Sequence, residues 1–242
     1  MSIMSEEDSI AGYQNWRHLV FLHWRVAPDE LQVHLPPGLT VEPFDGAAWL
    51  ALVPFAMERV RPWWSPAVPG ISWFLETNVR TYVRHESGLN GVWFFSLDAN
   101  CRLAVRIART FWSLNYIDCQ MSQEFDHQAG TLKYTGQRSR VPADVYNVTC
   151  QIPAASPQPA NQGSLEHFLL ERYRLLSQTS EGNFVTANVI HEPYTFLPLT
   201  QVQCQETYTT RLIDDRDNPR PPVHAVYSPG VDVRVTAIQS VK

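Results

Sequence analysis

Phe74-Leu-Glu-Thr-Asn-Val-Arg-Thr-Tyr-Val-Arg84, followed after a short break by Asn90-Gly-Val-Trp-Phe-Phe-Ser-Leu97, decides the fold class. In the first run Leu75, Thr77, Val79, Thr81 and Val83 alternate with Glu76, Asn78, Arg80, Tyr82 and Arg84. Only an extended strand turns that period of two into one apolar and one polar face. Asn90-Gly91 supplies the positive backbone angle of a tight turn, and the nearly all-apolar second run predicts a return strand buried on both sides. From Arg102 the period lengthens. Leu103, Ala104, Ile107, Ala108 and Phe111 share one side of a predicted helix, with Arg102, Arg106 and Arg109 on another. The helix ends at Asn115-Tyr116, and Tyr116 to Met121 alternates again.

Working outward, Trp16 to Val26 is rich in aromatic and β-branched residues and reads as a strand. Pro28, the acidic pair Asp29 and Glu30, and the stop at Pro36-Pro-Gly38 predict a short helix over Asp29 to His34. Asp45-Gly46 is a hairpin signal, and Ala48 to Val60 continues as a strand in which Pro54 implies an edge or a bulge. Arg61 to Gly70 holds three prolines and a glycine and must be a loop. Trp63 and Trp64 in it either close over a pocket mouth or pack down as a plug, and the rarity of exposed apolar surface favours the plug.

Thr131 to Thr135 and Val145 to Cys150 read as strands, and Pro153 to Gly163 as a loop. Ser164 caps a helix whose buried stripe is Leu165, Phe168, Leu169, Tyr173 and Leu176, ending before Gly182. Val185 to Ile190, Gln201 to Ile213 and Val231 to Ile238 are late strands, and Asp214 to Pro222 is a charged surface turn. The chain is therefore mainly β, of α+β class. Residues 1–12 are expected to be a flexible N-terminus and residues 13–242 a single domain.

With 242 residues, 44% of them hydrophobic, the chain can build one sizeable core. A net charge of −5 without basic runs argues against nucleic acid and for a small-molecule partner. The start is acidic where an export signal is basic, and the longest apolar run, Gly46 to Met57, is too short to span a bilayer and contains Pro54. A cytoplasmic protein without a membrane partner is expected; composition leaves a homo-oligomer open. The four widely spaced cysteines (Cys101, Cys119, Cys150, Cys204) read as reduced thiols. No metal or other cofactor is expected. His18 and His23 lie an odd number of residues apart on a strand and point to opposite faces, and His191-Glu192 has no second histidine one turn on.

Asn78-Val-Arg-Thr-Tyr-Val83, Gly91-Val-Trp-Phe-Phe-Ser-Leu-Asp-Ala99, Ala108-Arg109, Leu114-x-Tyr116, and the earlier Leu35-Pro-Pro-Gly-Leu39 and Phe44-Asp-Gly-Ala-Ala-Trp49 resemble the YqjF-like family, domain of unknown function 2071. That family is similar to acetoacetate decarboxylase. The resemblance implies an antiparallel, cone-shaped β-barrel with a few flanking helices and an interior site. It also sets a test, because the decarboxylase forms an imine on a lysine that directly follows its central helix. The two lysine places fall here on Tyr116 and Ile117, which cannot form one. Only Lys133 and Lys242 occur in the whole chain, and a lone strand lysine is usually a solvated charge.

Glu76 and Arg109 match a glutamate and an arginine of the decarboxylase pattern. With Tyr116 they form the candidate catalytic set: a desolvated carboxyl as acid or base, a guanidinium for a substrate carboxylate, and a phenol donating to a carbonyl oxygen. His23, beside Trp24 in the family's His-Trp pair, joins Arg25, Arg80, Trp93 and Trp64 as candidate ligand-binding residues. The expected function is binding of a small organic acid or carbonyl compound, with a non-imine lyase or isomerase reaction. The alternative is a non-catalytic sensor or a scaffold whose cavity is filled by aromatic side chains. On the residues alone the favoured reading is a solvent-facing ladder of Glu76, Arg80 and Arg84 and a solvated helix face of Arg102, Arg106 and Arg109; the resemblance brings a site level with it for Glu76 and Arg109.

Overall fold

The computed structural model describes residues 10–101, 115–213 and 219–241. The alternating stretch forms β4 (Phe74–His85), paired antiparallel with β3 (Ala48–Pro62) and β5 (Asn90–Ala99). From β3 the sheet passes to β1 (Ile10–Val26), β14 (His224–Thr236), β11 (Phe184–Ile190) and β10 (Arg174–Gln178), and β10 returns to β5. These seven strands close a ring. Every junction is antiparallel except β5 with β10, where Val92 meets Leu175 and Trp93 meets Leu176 in parallel.

The edge of β5 away from β4 is forked. Its first half takes β10, and its second half takes β6 (Tyr116–Asp126), with Leu97 opposite Tyr116. From β6 an antiparallel extension runs through β7 (Thr131–Arg138) and β8 (Val145–Gln151), then to β13 (Val202–Glu206). The short strands β2 (Leu39–Val41), β9 (Gln158–Pro159), β12 (Thr195–Pro198) and β15 (Gln239–Ser240) attach at the margins. Two helices are described, α1 (Pro28–Gln32) and α2 (Leu165–Leu170).

Two cores follow from alternation in a closed ring. Phe21, Val53, Phe55, Leu97, Leu175, Val189 and Val233 come from the ring strands and meet in one cluster, the ring interior. Val20, Leu22, Leu50, Val79 and Val83 face the other way and pack with Tyr134, Tyr146 and Val148 of the extension. Each fully buried aliphatic or aromatic side chain contributes about 1.5–3 kcal/mol. The ring and its extension are thus bound by burial on both faces.

Several local readings hold. Asp45 and Gly46 adopt φ of 48° and 71° between the bridged residues Phe44 and Ala47. Ser164 caps α2, its Oγ accepting from His167 N–H at 3.2 Å. Pro54 marks a bulge and not an edge, because β3 lies between β1 and β4. Between the pairs Arg17–Ala56 and Leu22–Leu52, β1 is one residue longer than β3, and His18 absorbs the excess at φ 55°. A proline that donates no ladder bond sits where the ladder is already interrupted.

Other readings are corrected. β1 begins at Ile10, inside the stretch expected to be flexible. The helix after Ser164 stops at Leu170, and Leu175, Leu176 and Ser177 are strand, because β5 and β11 supply ladders on both sides. Gln201 to Ile213 is strand only over Val202–Glu206. The return strand β5 is not buried throughout, since Trp93, Phe94 and Phe95 lie half-buried at the fork of its edge. Trp63 and Trp64 are no plug: their loop leaves them 64% and 71% exposed. The helix predicted from Arg102, including Arg109, and most of the surface turn from Asp214 lie outside the described residues.

Candidate functional site

β4 directs Glu76, Asn78, Arg80 and Tyr82 to one side, and their neighbours place that side in the ring interior. Tyr116, a member of the interior cluster, donates from its hydroxyl to Glu76 Oε2 at 2.8 Å. Arg80 lies with its guanidinium carbon 5.4 Å from the Phe21 ring centre. Relative exposures of 4%, 5% and 7% for Glu76, Asn78 and Arg80 dispose of the solvent-facing ladder. Only Arg84, at the end of the row, is exposed.

Burial raises the Glu76 carboxyl from 4.5 to about 7; the Tyr116 hydrogen bond opposes this and the charge of Asp98 adds to it. Asp98 is itself fully buried, on β5 opposite Thr77, and is held in a two-pronged pair by Arg138. Arg138 Nε meets Oδ2 at 2.7 Å and Nη2 meets Oδ1 at 2.9 Å. Tyr116 is pushed well above the usual phenol range, first by burial and then by Glu76. Near neutral pH the pair is a phenol donor and a carboxyl divided between its two forms, which suits a group that gives and takes a proton.

Arg80 is compensated in part, by a hydrogen bond with Tyr82 and by the face of the Phe21 ring, but not by a carboxylate among the described residues. No ion pair among the described residues includes it, its Nε is buried without a partner, and Nη2 reaches the Leu169 carbonyl only at 3.4 Å. Asn78 Oδ1 is likewise buried and unpartnered.

The remaining candidates separate. His23 is fully buried but occupied at both nitrogens, by Tyr82 Oη and His224 Nδ1, each at 3.0 Å. Because the Tyr82 hydroxyl donates to the Leu169 carbonyl at 2.9 Å, His23 Nε2–H donates to that hydroxyl oxygen. His23 Nδ1 then accepts from His224. Burial, then His224 and Arg80, hold the His23 pKa well below the usual histidine range. His23 thus holds Tyr82, with both of its ring nitrogens engaged within the protein. Arg25 is exposed and reaches only the Asp45 carbonyl, at 3.4 Å. Trp93 packs with the outer cluster and lines a cleft of about 330 Å³ with His34, Phe95 and Asn115, on the other face from Glu76. Trp64 stays in its exposed loop.

Lys133 lies on β7, outside the ring, on the face opposite the buried Leu132 and Tyr134 and across from Glu124 and Thr149. No group of three or more metal-ligating side chains occurs among the described residues, and no described helix is long and apolar enough to cross a membrane. The four cysteines are free thiols. His18 and His23 do face opposite ways, His18 bonding Tyr227 Oη at 2.9 Å in the outer core.

Sequence reasoning missed Asn78, Asp98, Arg138 and His224. Asp98 carried a signal, as a carboxylate in an otherwise apolar strand. Arg138 and His224 carried none, because their partners lie 40 and 201 residues away.

This ring with its extension is an acetoacetate decarboxylase-like fold. Acetoacetate decarboxylase from Legionella pneumophila superposes with a TM-score of 0.67 at 13% identity, over 96% of this chain and 88% of that one. An acetoacetate decarboxylase-like enzyme from Sphingomonas wittichii RW1 gives 0.67 and 13% over 100% and 99%. The enduracididine biosynthesis enzyme MppR, complexed with pyruvate, gives 0.63 and 13% over 97% and 91%. Residues 13–232 match the family DUF2071, described as an uncharacterized conserved protein, and the chain belongs to that family. The uncharacterized protein YqjF of Bacillus subtilis is 34% identical over 181 residues, 75% of this chain and 73% of that protein.

Proposed function

We propose that the ring interior binds a small organic acid or carbonyl compound and that Glu76 moves a proton on it without an imine. The observation that carries this is the Glu76 carboxyl, buried, raised to about 7 and held at 2.8 Å by the Tyr116 hydroxyl. A carboxyl poised near neutrality serves as acid or base, and a phenol donor beside it stabilises negative charge developing on a carbonyl oxygen. The reaction class is a non-imine lyase or isomerase. Lys133 faces out of a strand that is not part of the ring, so the chemistry proposed runs through oxygen groups.

Thermal shift with short keto acids and carboxylates tests the reading, since a ligand of the native state raises the melting temperature. Pyruvate or a close homologue should raise it at millimolar concentration, and Glu76→Gln should change that shift more than it changes the unliganded melt. No shift across the panel overturns the site. Borohydride added with pyruvate should leave the intact mass unchanged, and an adduct on Lys133 restores an imine route.

A further inference from the structure

Asn78 stands midway between Glu76 and Arg80 on the interior side of β4, and its buried Oδ1 meets no donor. Two positions on, Arg80 Nε meets no acceptor. Both side chains are more than nine-tenths buried, at 5% and 7% exposure. A buried polar atom without a partner is unfavourable, and an uncompensated buried charge more so. An acceptor and a cationic donor left open side by side, in a row that starts at a proton-exchanging carboxyl, have complementary needs that one molecule can meet.

We propose that Glu76, Asn78 and Arg80 are three points of one track for an elongated organic acid. The carbonyl lies at Glu76, a hydroxyl or amide N–H at Asn78 Oδ1, and the terminal carboxylate at Arg80. The assignment of the reacting end to Glu76 rests on the function proposed above; the anion end and the length do not.

The contacts around Arg80 favour a carboxylate. Phe21 and Tyr82 lie at 5.4 and 5.9 Å from the guanidinium carbon, and the carbonyl of Leu169 engages Nη2. Nε remains open, and a planar anion is what a guanidinium edge binds in preference to a neutral group. The strand sets the length. Residues four apart on one strand are about 13 Å apart, and a hydrogen-bond contact takes about 3 Å at each end, leaving about 7 Å. That is an unbranched chain of roughly six carbons between carbonyl and carboxylate ends, with its central donor near the middle. Pyruvate is too short to engage both ends.

Calorimetry on the full chain with pyruvate, 4-oxopentanoate and 6-oxoheptanoate separates the possibilities. The expected order is 6-oxoheptanoate tightest, by about tenfold over pyruvate, as one added charge-assisted contact provides. Arg80→Met should erase that advantage while pyruvate binding is kept, a cooperative melt without ligand showing that the variant folds. Should Arg80→Met not fold, Arg80→Lys keeps the charge without the planar edge and should lose part of the advantage. Asn78→Leu should weaken a 6-oxoheptanoate analogue hydroxylated at mid-chain but not 6-oxoheptanoate itself. If pyruvate binds as tightly as 6-oxoheptanoate and Arg80→Met changes neither, the track is overturned and the Glu76 site stands. If none of the three acids binds, both are overturned.

Discussion

Replacing Glu76 by Gln should flatten part of the protein's stability profile between pH 5 and pH 8. The native carboxyl titrates at about 7 against 4.5 for an ordinary one, so across that interval the folded chain holds a proton the unfolded chain has released. Stability from this group is full below 4.5 and is lost as the pH rises through 7. The whole loss is on the order of 3 kcal/mol, and the part between pH 5 and pH 8 is about 2–3 kcal/mol. For a chain of this length that is a fall in melting temperature of roughly 5–10 °C. Gln keeps the volume and an acceptor for Tyr116 but cannot ionise. His18, His23, His191 and His224 act in the opposite sense: burial lowers each of them, so their contribution is present above 6.5 and fades as the pH falls below it. The parent profile is therefore humped, and the difference between parent and variant isolates Glu76. Urea unfolding of both proteins at pH 5, 6, 7 and 8 measures it. A difference constant to within about 0.5 kcal/mol over that range would falsify the raised carboxyl.

Tyr116→Phe removes the hydroxyl that favours the ionised carboxyl. The titration midpoint should rise and stability should drop by about 1–2 kcal/mol at pH 8, less at pH 5, in the same unfolding series. Arg138→Met leaves the buried Asp98 carboxylate without its two-pronged partner and should cost about 3–5 kcal/mol. Adding Asp98→Asn should recover part of that in a double-mutant cycle, and strict additivity would speak against the pair. Gly136→Ala drives a methyl group into the Tyr146 ring, whose hydroxyl receives the Thr77 bond at 2.7 Å. A loss of about 1–3 kcal/mol is expected, and an unchanged melt contradicts that packing.

The alternation of β4 and the turn at Asp45-Gly46 were legible because neighbours within a few residues dictate them, whereas the turn expected at Asn90-Gly91 is corrected: the chain reverses between His85 and Leu89 with Gly88 at φ 88°, and Asn90 and Gly91 already pair with Arg84 and Val83 in β5. Glu76 and Tyr116 were legible as a pair only through resemblance, since alternation shows that Glu76 and Arg80 share a side without saying whether water is on it. Trp93 packs on the face away from Glu76, and an all-apolar run has no polar residue to show in advance which of its members face that way. Leu175 to Gln178 fits a helix or a strand by local pattern, and the choice was made by β5, some 80 residues earlier in the chain. His23 met a nearly complete set of contacts through His224, a partner no local rule reaches.

The ring joins its first strand to its last, Ile10 beside Thr236 and His23 beside His224. The gap between β1 and β11 is closed only by β14, with 201 residues between His23 and His224, so the charges of β4 remain hydrated until that strand docks. Their dehydration is thus deferred to one late step of long sequence separation, a slow closure by the rule that distant pairings fold last.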